Sequence, residues 1–180
     1  MSDLDDEHPV TSQNDPRVSE LFLRLESRGI EFETIEHEAL HSVEDAARAR
    51  RQLDGVATKN LFLRDKRGRM FLLTAAAERE IDLLKLGPRV GARGRLSFAS
   101  DERLARVLRV RPGSVSLLAA THARPDQVTL IVDDILRESN WILQHPLHNR
   151  ATTRLRTTDL WKLLADHDHA VRFVEFGATV

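Results

Sequence analysis

Two apolar runs, Thr58 to Arg64 and Arg69 to Ala75, lie on either side of Asp65-Lys66-Arg67-Gly68. Strand-length runs around a charged, glycine-ended turn predict a β-hairpin, so part of this chain must be sheet. In the first run the apolar alternation sets Leu61 and Leu63 on one face and Phe62 on the other, with Lys59 grouped with Phe62. Lys59 has two readings. It is a solvated strand-end residue, or it is a fixed cation at the mouth of an apolar strand, suited to a phosphate or carboxylate.

Helical and extended patterns surround the hairpin. Pro16 suits a first helical turn; Val18, Leu21, Phe22 and Leu25 recur at helical spacing, and Gly29 suits the C-terminal cap. Ile30 to His37 alternates as a half-buried strand does. Ser42-Val43-Glu44-Asp45 predicts a helix start, running into Arg48, Arg50 and Arg51. A short helix over Ile81 to Leu86, ended by Gly87-Pro88, and a short strand over Arg95 to Phe98 follow. Ser100 caps a helix through Leu104, Val107 and Leu108. Strands are expected over Val115 to Ala120, Val128 to Val132, Trp141 to His145 and Val171 to Phe176. Thr157-Thr158-Asp159 starts a last helix with Leu160, Trp161, Leu163 and Leu164 inward. The sum is one α+β domain: a mixed, largely antiparallel sheet with packed helices.

The length of 180 residues suits a single domain with a sizeable core. Residues 1–15 are expected to be a disordered leader and 16–177 the domain. Cysteine is absent, which excludes disulfides, thiol catalysis and a cysteine-based zinc site, and fits a cytoplasmic location. No apolar run approaches the roughly 20 residues of a membrane span, and the acidic N-terminus has no signal-peptide core, so no membrane is expected as a partner.

The net charge of −1 conceals an asymmetry. Residues 1–47 hold 3 Lys/Arg against 13 Asp/Glu, residues 48–111 hold 17 against 7, and residues 112–180 hold 7 against 8. The middle third is the candidate nucleic-acid face, with Arg48, Arg50, Arg51, Lys66, Arg67 and Arg69 on one side and Arg172 outside it. The alternative is a solvated face balanced by the acidic third. Few aromatics and no tyrosine argue against a broad stacking platform.

No serine elbow, His-Glu-x-x-His or phosphate-binding glycine loop occurs. Gly113-Ser114-Val115-Ser116 lacks the second glycine of an elbow and reads as a turn with Gly113 chosen for backbone freedom. Asn60 can donate and accept, or close a local turn. His145 is held extended by Pro146 and can serve as a general base, a donor to a carbonyl, or a structural residue. His148 is expected at the surface, and Asn149 and Thr152 are expected to order the loop carrying His145. Asp166-His167-Asp168-His169 has metal-ligand residue types, but consecutive side chains at a helix end do not converge, so a solvated cap is expected. His37 and His41 flank a strand-to-helix loop. No metal and no cofactor are expected.

Four segments, in order, resemble the YbaK/ProX/PrdX family of aminoacyl-tRNA deacylases, and most closely its freestanding alanyl-tRNA(Pro) editing members. They are Lys59-Asn60-Leu61-Phe62-Leu63, then Leu96-Ser97-Phe98, then Pro112-Gly113-Ser114-Val115-Ser116, then His145-Pro146-Leu147 with Asn149 and Ala151-Thr152-Thr153. The resemblance implies the family's editing-domain fold and hydrolysis of the ester of mischarged tRNA, most directly Ala-tRNA(Pro). It implies Lys59, Asn60, Gly113 and His145 as catalytic residues. Val43, Leu61, Leu63, Ser114, Val115, Ser116 and Asn149 are implied as substrate-binding. Lys59 holds the 3′-end phosphate or orients the substrate, and the loop at Gly113 approaches the ester with its backbone. The substrate's own ribose hydroxyl is recruited in place of a protein nucleophile. Implied partners are the aminoacylated acceptor end of tRNA and prolyl-tRNA synthetase, with no DNA. Leu117 and Leu118 depart from the family pattern, which has a proline and then an aromatic. Two other functions stand beside this one: deacylation of a cysteinyl, seryl or threonyl ester, and a non-catalytic module that binds tRNA or a synthetase.

Overall fold

The structure, a computed structural model, describes residues 14–38 and 53–176. Asp15 caps α1 (Pro16–Ser27), its carboxylate accepting from the Arg17 amide at 2.9 Å. β1 (Phe32–Glu36) follows, and then the hairpin of β2 (Val56–Arg64) and β3 (Met70–Ala76). Next come α2 (Leu83–Arg89), β4 (Ser97–Phe98) and α3 (Asp101–Leu108). A 3₁₀ segment at Leu117–His122 leads to β5 (Val128–Asp133), a 3₁₀ turn at Asp134–Leu136, and β6 (Trp141–Gln144). β7 (Ala151–Arg156), α4 (Thr157–Ala165) and β8 (Val171–Val174) complete the described chain.

The strands form one mixed sheet in the order β1-β7-β6-β2-β3-β5-β8, with β4 added on β2. Four of its seven pairings are antiparallel: β1–β7, β7–β6, β2–β3 and β2–β4. The pairs β2–β6, β3–β5 and β5–β8 are parallel. Both faces are covered. Phe62, Leu72, Leu130 and Ile142 pack under α1, α3, α4 and the 3₁₀ segment. Leu63, Phe71, Leu73 and Ile131 pack under α2, Leu96 and Phe176. At about 25 cal/mol per Å² of apolar surface, these two clusters are the main favourable contribution to folding.

The hairpin turn is organised by one buried carboxylate. Asp65 has no accessible surface. It accepts from the amides of Arg67 (2.9 Å), Arg69 (3.0 Å) and Arg93 (2.9 Å), and from the Arg69 guanidinium at 2.8 Å. Burial alone would raise its pKa; the hydrogen bonds from Arg93, Arg69 and Arg67 outweigh that and hold it at about 2. Arg69, expected to project as part of a basic face, is therefore bound into the turn.

Several expectations are corrected. Strand alternation sets Lys59 on the face of Leu61 and Leu63, and puts Asn60, not Lys59, with Phe62. Val115 to Ala120 is not a strand: Leu117–His122 is 3₁₀, with Leu117, Leu118, Ala119 and Ala120 all buried. Its apolar run is buried on every side, so it lacks the alternation that separates strand from helix. The stretch Ala151–Arg156, assigned only a loop-ordering role, is β7 and bridges β1 and β6. α2 starts two residues later than expected, capped by Asp82, and continues through Gly87 and Pro88. Asp15, assigned to the leader, is buried against α1. The helix start at Ser42 lies outside the described residues.

Candidate functional site

β2 is longer than its neighbours, and this makes an opening. On its edge away from β3, Val56 and Ala57 pair with β6 while Leu63 and Arg64 pair with β4. Among the described residues no strand pairs with this edge between those two points. Phe62 O accepts from Ala99 N there at 3.0 Å. Peptide groups along a strand alternate between edges, so the Asn60 N–H and C=O turn to the same edge as Phe62.

Side chains from both faces meet the opening. On one face, the Asn60 Oδ1 accepts from Thr74 Oγ1 at 2.6 Å, which leaves its NH₂ as the donor. Gln144, buried at the end of β6, donates to Thr58 Oγ1 (2.9 Å) and accepts from Leu117 N (2.8 Å). This amide ties β2, β6 and the Gly113–Ser116 loop into one unit. On the other face, Lys59 donates through Nζ to Arg79 O, and the Arg79 guanidinium donates to the buried Asp133 at 3.1 Å. Leu61 lies half-buried beside it, while Leu63 is fully buried in the core under α2.

The loop supplies donors. Gly113 has φ +84°, a conformation that favours glycine, and a Cβ there would lie 3.5 Å from Asn149 Nδ2. Ser114 N closes the turn onto Arg111 O at 3.1 Å. With Leu117 N taken by Gln144, the amides of Gly113, Val115 and Ser116 have no acceptor among the described residues. Ser116 Oγ is fully buried without a partner among them. Leu117 and Leu118 are fully buried in the core.

A histidine cluster adjoins Asn149. His145 Nδ1 donates to Ala151 O at 2.9 Å, which makes Nε2 the acceptor of the neutral ring. His37 Nε2 meets Thr152 Oγ1 at 2.9 Å. His148 is 4% exposed rather than at the surface, its Nδ1 accepting from Arg150 N at 3.2 Å. Burial lowers its pKa, helped by His145 and His37 and opposed by Glu36 and Asp15. Leu147, buried at φ +69°, carries local strain of about 1–2 kcal/mol in the same loop.

Gln144 thus links Thr58, two residues before Asn60, to the end of the Gly113–Ser116 loop, Asn149 stands beside Gly113, and Lys59 and Leu61 lie on the opposite face of β2. Val43 and His41 lie outside the described residues. The segment Asp166 to His169 is not a solvated cap throughout: His169 is buried, its Nε2 meeting Ala120 O (2.9 Å) and Ala123 O (3.1 Å). The sequence reading missed Gln144 and Asp133. The available signal was a polar residue closing an apolar strand, Trp141-Ile142-Leu143-Gln144 and Val128 to Asp133.

A profile of the aminoacyl-tRNA editing domain matches residues 37–163. The chain belongs to the aminoacyl-tRNA editing family. It is 30% identical over 153 residues to the prolyl-tRNA editing protein ProX of Acetoanaerobium sticklandii, covering 84% of this chain and 93% of that one. It is 35% identical over 154 residues to the prolyl-tRNA synthetase associated domain-containing protein 1 of Danio rerio, covering 84% and 83%. A crystal structure provisionally assigned as a trans-editing enzyme for prolyl tRNA synthetase superposes with a TM-score of 0.68 at 20% identity, covering 90% and 97%; that likeness is one of fold. Members of this family are hydrolases acting on mischarged tRNA, so the expected α+β editing fold and the expected enzyme class both hold. No helix among the described residues is long and apolar enough to cross a membrane.

Proposed function

We propose that this protein removes a small, wrongly attached amino acid from tRNA in trans, with alanine on tRNA(Pro) as its substrate and prolyl-tRNA synthetase as the source of the error. The observation that carries this reading is the opening at Asn60 on β2, tied through Gln144 to the loop of amide donors at Gly113 to Ser116, in a chain of the editing family. A water oxygen bonds to the ester carbonyl carbon, the bond to the ribose oxygen breaks, and the ribose oxygen leaves protonated while the amino acid is released. The amides of Gly113, Val115 and Ser116 suit the developing oxyanion. His145 Nε2 suits the proton, from water or from a ribose hydroxyl. The Asn60 NH₂ suits the substrate's carbonyl or hydroxyl, and the Lys59 ammonium a 3′-end phosphate. A synthetase pocket rejects a smaller side chain weakly, so a second site must hydrolyse what fits it.

Leu117 and Leu118 lie in the core, so their departure from the family pattern bears on amino-acid choice only through the loop they anchor. Deacylation of a panel of charged tRNAs tests the reading. Release of alanine from tRNA(Pro) ahead of cysteine, serine and threonine esters is expected. A different leading ester corrects the substrate, and no release above buffer hydrolysis from any tRNA overturns the proposal in favour of a binding module.

A further inference from the structure

We infer that the end of the sheet built on Asp65 is a docking platform for the phosphate backbone of duplex RNA, and that it holds the acceptor stem while the 3′ end reaches the opening at Asn60. This rests on the proposed function. The Asp65 carboxylate fixes two loops at once, through the amides of Arg67 and Arg93, and Lys66 N donates to Arg93 O at 3.0 Å. Lys66, Arg67, Arg93 and Arg95 are exposed on these loops. The negative charge of Asp65 is taken up by Arg69. Among the described residues no carboxylate is ion-paired with any of those four cations, and nearby Glu102 faces Arg106. The platform is a preorganised, uncompensated positive surface, the complement of a phosphate backbone.

Its position suits one RNA occupying both places. β4 pairs with β2 on the edge that carries the opening, so platform and opening share that edge. Asn60 and Asp65 are separated along β2 by about 17 Å, at about 3.3 Å per residue. An unpaired 3′ end of a few nucleotides, rising about 3.4 Å each, covers most of that span. Phe98, 64% exposed on β4, lies between them and offers an aromatic face to an unpaired base.

The test uses the full chain and three charged substrates: intact tRNA, a minihelix of the acceptor stem, and the single-stranded 3′-end oligonucleotide alone. The variant Lys66→Glu with Arg67→Glu is expected to raise KM about tenfold or more on tRNA and minihelix, at unchanged kcat. Its salt slope is expected to flatten by about 1.8, for two lost contacts. On the single strand it is expected to match the parent. Lys162→Glu, on α4 away from the platform, is the charge control. Phe98→Ala is expected to raise KM on all three substrates, and an unchanged KM on the single strand removes Phe98 from the path. An equal loss on the single strand, or no loss on the duplex substrates, overturns the platform. Unchanged tRNA affinity with weakened binding to prolyl-tRNA synthetase also overturns it, and gives the surface to an acidic protein. If the parent deacylates nothing, the proposed function fails; titration of uncharged minihelix against parent and variant still decides the platform.

Discussion

Lys59 and Asn60 are consecutive, and that alone puts them on opposite sides of β2. A ligand that lay on one face of the sheet could touch only one of them; a ligand entering the strand edge touches both. Their substitutions therefore separate. Lys59→Ala removes a half-buried ammonium whose one bond among the described residues is to the Arg79 carbonyl, so stability falls by about 1 kcal/mol at most. Deacylation is expected to fall on the order of 10²-fold, as for loss of a contact that positions the reacting ester. Asn60→Ala also leaves the buried Thr74 hydroxyl without its acceptor, so about 1–3 kcal/mol of stability goes with the activity. Parallel melting curves and single-turnover rates check the pair; a wild-type rate in Lys59→Ala refutes its assignment. His148 makes a different prediction. Unfolded, it takes a proton near its ordinary value of 6.5, whereas the folded ring resists it. Folded protein then binds fewer protons, and stability present above pH 6.5 is lost as pH falls through the lowered folded value. His148→Gln should lose less stability than the parent between pH 7 and 5.5, with a residue of the effect left by His122, lowered by burial in the same direction. Identical pH slopes in denaturant titrations refute this. The burial of His148 was not legible in sequence, since a histidine in a loop of His, Asn and Arg carries no burial signal. Asn60, Gly113, His145 and Asn149 were singled out through the family resemblance, and the structure sets Asn149 beside Gly113.

At the scale of elements, the hairpin was legible to within a residue or two because its two apolar runs and its Gly68 turn agree. What failed was local pattern in conflict with long-range partners. The β7 run Ala-Thr-Thr-Arg-Leu-Arg alternates weakly, and becomes a strand because β1 and β6 lie on either side of it. The Gly113 loop enters a 3₁₀ segment because the Gln144 side chain, not a neighbouring strand, takes Leu117 N. The β2–β3 turn carries the element-scale prediction. Asp65 holds its turn as a carboxylate, so its contribution is present above the ordinary value of 3.8 and is lost as pH falls through about 2. Asp65→Asn keeps one acceptor oxygen but removes the charge that binds Arg69, and should cost about 1–3 kcal/mol at pH 7. That difference from the parent should shrink between pH 4 and 2 in acid denaturation. A constant difference over that window would mean the hydrogen bonds of the turn are indifferent to its charge.

For the whole molecule, the strand order could not be read from sequence, because β1 and β7 pair across more than a hundred residues and nothing local encodes that partner. The charge asymmetry could be read, and the fold gives it a place. A protein of net charge −1 should bind tRNA with little dependence on salt if charge acted as a sum. It acts locally. Lys66, Arg67, Arg93 and Arg95 stand on two loops locked by one buried carboxylate. A duplex bound there releases counterions from each phosphate it presents, with about 0.9 lost in the slope of log affinity against log salt per contact. Three contacts give a slope of about −2.7, so affinity should fall about fortyfold between 50 and 200 mM salt. Fluorescence titration of uncharged tRNA over that range measures it. Reversal of Arg93 and Arg95 should flatten the slope, while reversal of Lys162 should leave it unchanged. Arg172 is no control for this purpose, because its guanidinium bonds Arg89 O and Val90 O at the end of α2, and its loss would disturb the helix. A salt-independent affinity would mean that the cations are only a solvated face and that recognition rests on the opening beside Asn60.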